Sequence, residues 1–558
     1  MSSNTFKRTL VSAAILASTS ASAALYKVVE VSPSTTFDYK SSYGVAIQPG
    51  MVNEPLGCFD TNTAQCEFLL AGETRLVEAH AGEAVDGLSY REEAPFRLDN
   101  RFIYVQDNND FKNYCSRELG YSICDTWASI RWNLWSAEIK RSTTPNSIAF
   151  IENYIGPLLD DSQNIVINSL NKDGDPVGIV SEPGNVTGYR RNSVQAIVGD
   201  TTINEELQTR AWKTDGIYTV GSIATANTNS QGDYYTSKGA IWKNSTDAIQ
   251  VSWGSGVAAK RDQLLAQGSL RDFVISGSTL YAVGFNTFYE KYHYMQASVS
   301  LLSIDGDGSL SESKTVEVKG ATVYSNGGTS GDKKNHTNSL LTSVNENLIA
   351  IGEAKRSSAD KGAYNNRLFI VPDVSADSPT AAFLSGGIFF DGAGGKAGAI
   401  NNYNEMVGQI DADNTREVSG KPRRKRGFIY PYNGIGTDSE RRRAIFDNQA
   451  WWLDDLTNGG DLSNDNNQYR IIDATDINDA GVIAATAFKC NGGYDSTAHN
   501  ATCSNQETTV AVKLIPIAGA TSSDIVQRGT DEQSTERKGA AVGLWALILL
   551  GLFGFRRK

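Results

Sequence analysis

Residues 474–485 read Ala-Thr-Asp-Ile-Asn-Asp-Ala-Gly-Val-Ile-Ala-Ala. An apolar residue followed by Asn (Ile477-Asn478), a polar turn and a short apolar run ending in a small residue describes a strand, a tight turn and a second strand. Asn and Gly tolerate the left-handed backbone that such turns require. The unit recurs as Leu170-Asn171 leading to Gly178, Val344-Asn345 leading to Gly352 and Ile400-Asn401 leading to Gly408, with the small residue seven positions after the Asn each time. Looser copies lie at 215–221 and 277–284, and a fainter seventh at 43–47. A polar arm follows each small residue, and then a further strand, at 194–198, 239–242, 297–302, 368–371, 427–430 and 510–514. Successive small residues are 43, 63, 68, 56 and 77 positions apart, which suits four-stranded blades better than thin solenoid coils. An isolated blade would leave a face exposed, so the units must close on one another. The reading is an all-β fold, a β-propeller of about seven blades across residues 24–518.

The repeat resembles the extracellular HAF repeats, whose core is similar to A-x-x-IN-x-x-G-x-(V/I)-x-G. The matching residues are Ala397-Gly398-Ala399-Ile400-Asn401-Asn402 and Ala474-Thr475-Asp476-Ile477-Asn478-Asp479-Ala480-Gly481, with Trp452-Leu453-Asp454-Asp455-Leu456 ahead of the second. Taken whole, the chain resembles the uncharacterised DUF3466 family of exported bacterial proteins. That resemblance implies no activity, so it carries over no catalytic residue and no cofactor.

The two ends imply export. Lys7 and Arg8 precede an apolar stretch, and Ala21, Ala23 and Ala24 supply the small residues of a signal-cleavage site, making residues 1–23 a signal peptide. At the other end, residues 539–555 carry no formal charge and are followed by Arg556-Arg557-Lys558. As a helix this run spans roughly 25 Å, near the short limit for crossing a bilayer, and its terminal cations would stay on the cytoplasmic side. The tail resembles the GlyGly-CTERM sorting signals, with Gly539 and Gly543 in place of an adjacent glycine pair. Two readings stay open: a tail removed so that the protein reaches the cell surface or medium, or an inner-membrane anchor holding a domain that faces the periplasm. Residues 519–538, polar and poor in apolar side chains, read as a flexible linker.

A net charge of −12 with pI near 5.1 argues against a general nucleic-acid binder. Six cysteines in an exported chain read as disulfides, and each close pair (Cys58/Cys66, Cys115/Cys124, Cys490/Cys503) brackets a polar loop. No CxxC occurs, and the four histidines lack ligand spacing. About residues 111–140 a helical insertion interrupts the repeat. Ile123, Trp127, Ile130, Leu134 and Ala137 share one helical face, while Trp132, Trp135 and Ile139 lie off it. Enclosed packing and a sugar-stacking platform are the two readings of these tryptophans.

Candidate chemistry is sparse. The turns at 305–309 and 171–175 resemble the start of calcium loops but lack glycine at the sixth position, so calcium is the alternative to an ordinary hairpin turn. The basic run Lys421-Pro422-Arg423-Arg424-Lys425-Arg426, with Arg441-Arg442-Arg443 after it, reads as a solvated loop or as a patch for an acidic glycan or phosphate. No G-x-S-x-G and no HExxH occurs, and the acid pairs Asp454/Asp455 and Asp160/Asp161 are adjacent on the chain, which points them apart. The functional expectation is a non-enzymatic binding or scaffolding module of the cell envelope. Its partner would be an envelope protein or glycan, recognised by the arms after Gly284, Gly352 and Gly408. The rivals are a propeller enzyme acting on polysaccharide and a calcium-stabilised surface domain.

Overall fold

The structure, a computed structural model, describes residues 24–531 apart from internal stretches, the longest of which is 77–106. Seven antiparallel sheets of three to five strands follow one another along the chain, beside two small two-stranded ones. The innermost long strand of each of the seven blades, its first strand, is Ser41–Ile47, Asn164–Leu170, Gln208–Thr214, Ser269–Ser276, Lys334–Val344, Gly395–Ile400 and Tyr469–Ile477. These first strands touch their neighbours in turn, and the seventh touches the first, so the sheets form a closed ring around an axis. Closure comes from the N-terminal side. Tyr26–Glu30 pairs antiparallel with Glu507–Pro516 and completes blade 7 as its outermost strand, with Tyr26 opposite Pro516 and Glu30 opposite Val512. Length alone would have allowed several domains; the chain instead builds one propeller.

Between each pair of adjacent blades lies an apolar layer, seven in all, as a ring without free faces demands. Ile165, Ile167 and Ala71 occupy one between blades 1 and 2, and Val482, Ala484 and Leu70 another between blades 7 and 1. The layer between blades 6 and 7 also buries Leu25, Tyr26 and Trp451.

Every first strand carries a β-bulge at the same height, where it pairs with the second strand: at Val45, Asn168, Trp212, Arg271, Thr342, Gly398-Ala399 and Thr475. The bulge explains the small residue of the repeat. It turns a first-strand carbonyl toward the second strand, so a Cβ at Gly178, Gly221, Gly284, Gly352 or Gly408 would lie 1.8–2.3 Å from that oxygen. Contacts that short are excluded, so those five positions accept only glycine. Blade 7 has Ala485 at this place, and its own backbone oxygen lies against Gly44 of blade 1.

Because the strands alternate in direction, the connections between first and second strands, short turns except in blade 1, emerge on one face of the ring, and those between second and third strands, most of them long arms, on the other. The expected helical insertion is the arm of blade 1. Asp107 caps the helix Asn108–Tyr114 by accepting from Asp110 N–H, and Cys115–Cys124 joins it to the helix Cys124–Lys140. Phe111 meets Trp127 edge-on, and both are buried. The expected apolar face is corrected here: Ile123 and Ile130 are each 49% exposed, because the buried face runs through Cys124, Trp127 and Ala128. The side chains of Leu134, Trp135, Ala137 and Ile139 fall outside the described residues.

Cys58–Cys66 and Cys490–Cys503 are also paired, the first between strands 1 and 2 of blade 1, the second across the arm of blade 7. Three disulfides place the protein in an oxidising compartment, periplasmic or extracellular. Residues 1–23, with Ala21 and Ala23, and the tail with Gly539, Gly543, Arg556, Arg557 and Lys558 lie outside the described residues. Among those described, no helix is long and apolar enough to cross a membrane. The flexible linker expected from residue 519 is corrected as far as Asp531. Thr521 and Asp524 form a capping box, and Arg528 is only 5% exposed.

Candidate functional site: the axis, the two faces and a cleft in the arms

On the turn face the repeat's Asn does two tasks. Its Oδ1 accepts backbone N–H groups of its own turn, as Asn345 does from Asn347 and Ile349, and Asn401 from Tyr403 and Glu405. Its amide then reaches the next blade: Asn345 donates to the Asn401 carbonyl (2.9 Å), Asn401 to the Asn478 carbonyl (3.1 Å), and Asn478 to the Gln48 carbonyl (3.1 Å). Gln48, standing where blade 1 has no Asn, passes the chain on to the Lys172 carbonyl of blade 2. The resulting belt latches four successive blade junctions. Arg441 reinforces it through a bidentate pair with Glu405 (2.7 and 2.8 Å), both groups buried.

Near the axis the bulges bring charged side chains together from different blades. Asp272 of blade 4 accepts from Ser343 Oγ–H (2.8 Å) and Val344 N–H (3.1 Å) of blade 5; Asp476 of blade 7 accepts from Ile47 N–H (3.0 Å) of blade 1. Both carboxyls also accept from the following residue's N–H. Lys213 of blade 3 interacts electrostatically with both. Burial lowers its affinity for a proton, yet Asp476, Asp272 and Asp479 outweigh burial and hold its ammonium above the usual lysine range. Burial raises both Asp272 and Asp476, with Lys213 partly opposing it. The axis thus carries a cluster of one lysine and two carboxylates, and the carboxylates tie neighbouring blades together. Beside it, burial pushes the Asp473 carboxyl up to about 6, against the pull of Lys396.

The arm face overturns the solvated-loop reading of the basic run. Arg423 pairs with Asp411 (3.1 Å) with both side chains buried, and Lys425 pairs with the same carboxylate. Arg423 also donates to the carbonyls of Gly392 and Asp360, and Arg424 and Arg426 donate to that of His499. The run therefore stitches the arms of blades 5, 6 and 7 into one rim. Asp454 and Asp455 are both buried and share Arg528 and His499 as neighbours. Asp454 pairs with Arg426 (2.8 Å); burial raises its carboxyl, and Arg426, Arg528 and Arg470 outweigh that and hold it below the usual carboxylate range. Asp455 accepts from Arg528 N–H (2.8 Å) and contacts His499 Nε2 (3.0 Å). The arm of blade 7 is docked: Tyr494 lies under Arg470 at 4.0 Å, and His499 meets Trp452 edge-on.

Where blades 5 and 6 meet on this face, a cleft of about 240 Å³ opens. Arg356 ends the second strand of blade 5 and Arg367 begins the third, and both line it together with Leu384, Phe389, Phe390 and Asp391. Arg367 packs over Phe383 at 4.7 Å. Burial pulls its guanidinium down, Asp391 pulls it up, and the nearby Arg356 pulls it down again. The sequence reading named the Gly352 arm but not this pair, because neither arginine sits in a charge run.

The two acidic turns form hairpins. Asn171 Oδ1 accepts from Asp173 and Asp175 N–H, and Asp307 Oδ1 from Ser309 N–H. Among the described residues no three His, Cys, Asp or Glu side chains gather where they could hold a metal ion. Asp160/Asp161, Lys421 and Pro422 lie outside the described residues.

The sheet order, the ring closure and the arm rim define a seven-bladed β-propeller held shut by its N-terminal strand. The chain belongs to the family described as "Protein of unknown function (DUF3466)", matched over residues 219–558. Among solved structures it is similar to a BT0996 RGII complex, at 11% identity, over 58% of this chain and 90% of the other, with a TM-score of 0.24. Among curated proteins none matches it.

Proposed function

We propose that this protein is a non-enzymatic binding module of the cell envelope or cell surface, and that it recognises its partner, a glycan, through the arms of blades 5 to 7. The observation that supports this most directly is the rim itself. Buried arginines fix three arms against one another, and a rigid rim encloses a cleft, as recognition loops on a stable scaffold do. The axial carboxylates Asp272 and Asp476, the natural candidates for a hydrolytic pair, are each engaged by backbone N–H groups.

The test is retention of acidic and neutral polysaccharides by the purified full chain, with an assay for new reducing ends. Retention without new ends, lost when the arms of blades 5 and 6 are replaced by alanine blocks, is the expected result. Steady release of reducing ends would make it an enzyme and overturn the reading. Intact mass after fractionation of the native host decides the location. Loss of about twenty C-terminal residues means sorting to the surface, whereas a retained tail in the inner membrane means a periplasm-facing anchor.

A further inference from the structure

We propose that the cleft between blades 5 and 6 binds the carboxylate-bearing ring of an acidic sugar residue, an assignment that rests on the arm face being the recognition surface. Three features of the cleft converge on this chemistry. The first is charge: in a chain of net charge −12, its lining carries Arg356 and Arg367 against the single exposed carboxylate of Asp391. The two arginines line one cleft, and the planar fork of arginine matches a carboxylate with two parallel hydrogen bonds.

The second is the floor. Phe389 and Phe390 line it, and Phe389, 7% exposed and held edge-on by Phe428 at 5.3 Å and Tyr430 at 5.6 Å, presents a fixed apolar edge against which the C–H groups of a sugar ring can pack. The third is size and access. A cleft of about 240 Å³ falls below the roughly 300–1,000 Å³ of sites for drug-sized ligands, which leaves room for a single ring. Gly386, at positive φ, lines the cleft with open space where a side chain would stand, so a longer chain could continue outward from the bound ring.

Calorimetric titration of the purified full chain tests this with galacturonate, glucuronate, the matching neutral hexoses and inorganic phosphate. A uronate is expected to bind at least about tenfold tighter than its neutral hexose, and Arg356→Gln or Arg367→Gln to lose about tenfold or more. Asp391→Asn supplies a result that misfolding cannot imitate: removing the like charge beside the anion is expected to tighten uronate binding by about threefold. Phosphate binding as well as uronate would overturn the sugar assignment. An unchanged affinity in both arginine variants and in Asp391→Asn would overturn the cleft. If those variants still retain polysaccharide, the arm-face reading stands and the cleft alone falls; if the wild-type chain retains none, both fall.

Discussion

Asp473 is 2% exposed on the first strand of blade 7, and its carboxyl is pushed up to about 6 by burial, with Glu353 adding to the effect and Lys396 opposing it. A carboxyl whose folded-state pKa lies above its unfolded value near 3.9 stabilises the fold fully only below that unfolded value. Its contribution is lost as pH rises through about 6. Asp473→Asn keeps an oxygen for the Ala474 N–H and removes the charge. The variant should match the wild type near pH 4 and exceed it by roughly 2–3 kcal/mol at pH 7 and above. Urea unfolding at pH 4, 6 and 8 measures the difference, and an offset independent of pH would contradict it. This residue could not be singled out in the sequence. It is one of 63 acidic residues, and only the folded ring removes it from water.

At the scale of the element, the repeat was readable because its two fixed positions answer to local geometry. The small residue is set by the bulge opposite it, and the Asn by its own turn. What the Asn does beyond that turn depends on a neighbour 56 to 77 residues away, so the belt was hidden. Asn401→Ala removes acceptance from two backbone N–H groups and donation to both Glu405 and the Asn478 carbonyl. It should cost about 2–3 kcal/mol, against about 1 kcal/mol for Asn171→Ala, whose amide stays within its own turn on Asp175. Equal costs in denaturant unfolding would mean that the belt adds nothing between blades. The basic run misled for a related reason. Five cations and a proline in a row look solvated, yet the arm that carries them lies against the arms of blades 5 and 7, and Asp411 of its own blade and Asp454 take up its charge. The helical arm erred by one face, because Phe111 from the preceding helix chose which side of Trp127 to cover.

At the scale of the molecule, the two ends of the propeller meet in blade 7. Tyr26 is fully buried there, edge-on to Phe59 at 5.4 Å, in the apolar layer shared by blades 6 and 7. Tyr26→Ala is expected to cost about 3–5 kcal/mol and, because a ring cannot open at one seam without exposing the layers beside it, to lower the melting of all blades in one transition. Calorimetry would refute this with an early transition confined to one blade and an unchanged main peak. The all-β class, the number of repeats, the strand–turn–strand unit and the cysteine pairs were all legible in the bare chain, since each depends on residues a few positions apart. Other features took shape only in the folded ring: which strand closes it, which charges lie buried at the axis and in the rim, that residues 519–531 pack against the propeller, and where two arginines and an aromatic floor make a cleft. Those features join residues from different blades, and closing the ring is what brings them within hydrogen-bonding distance.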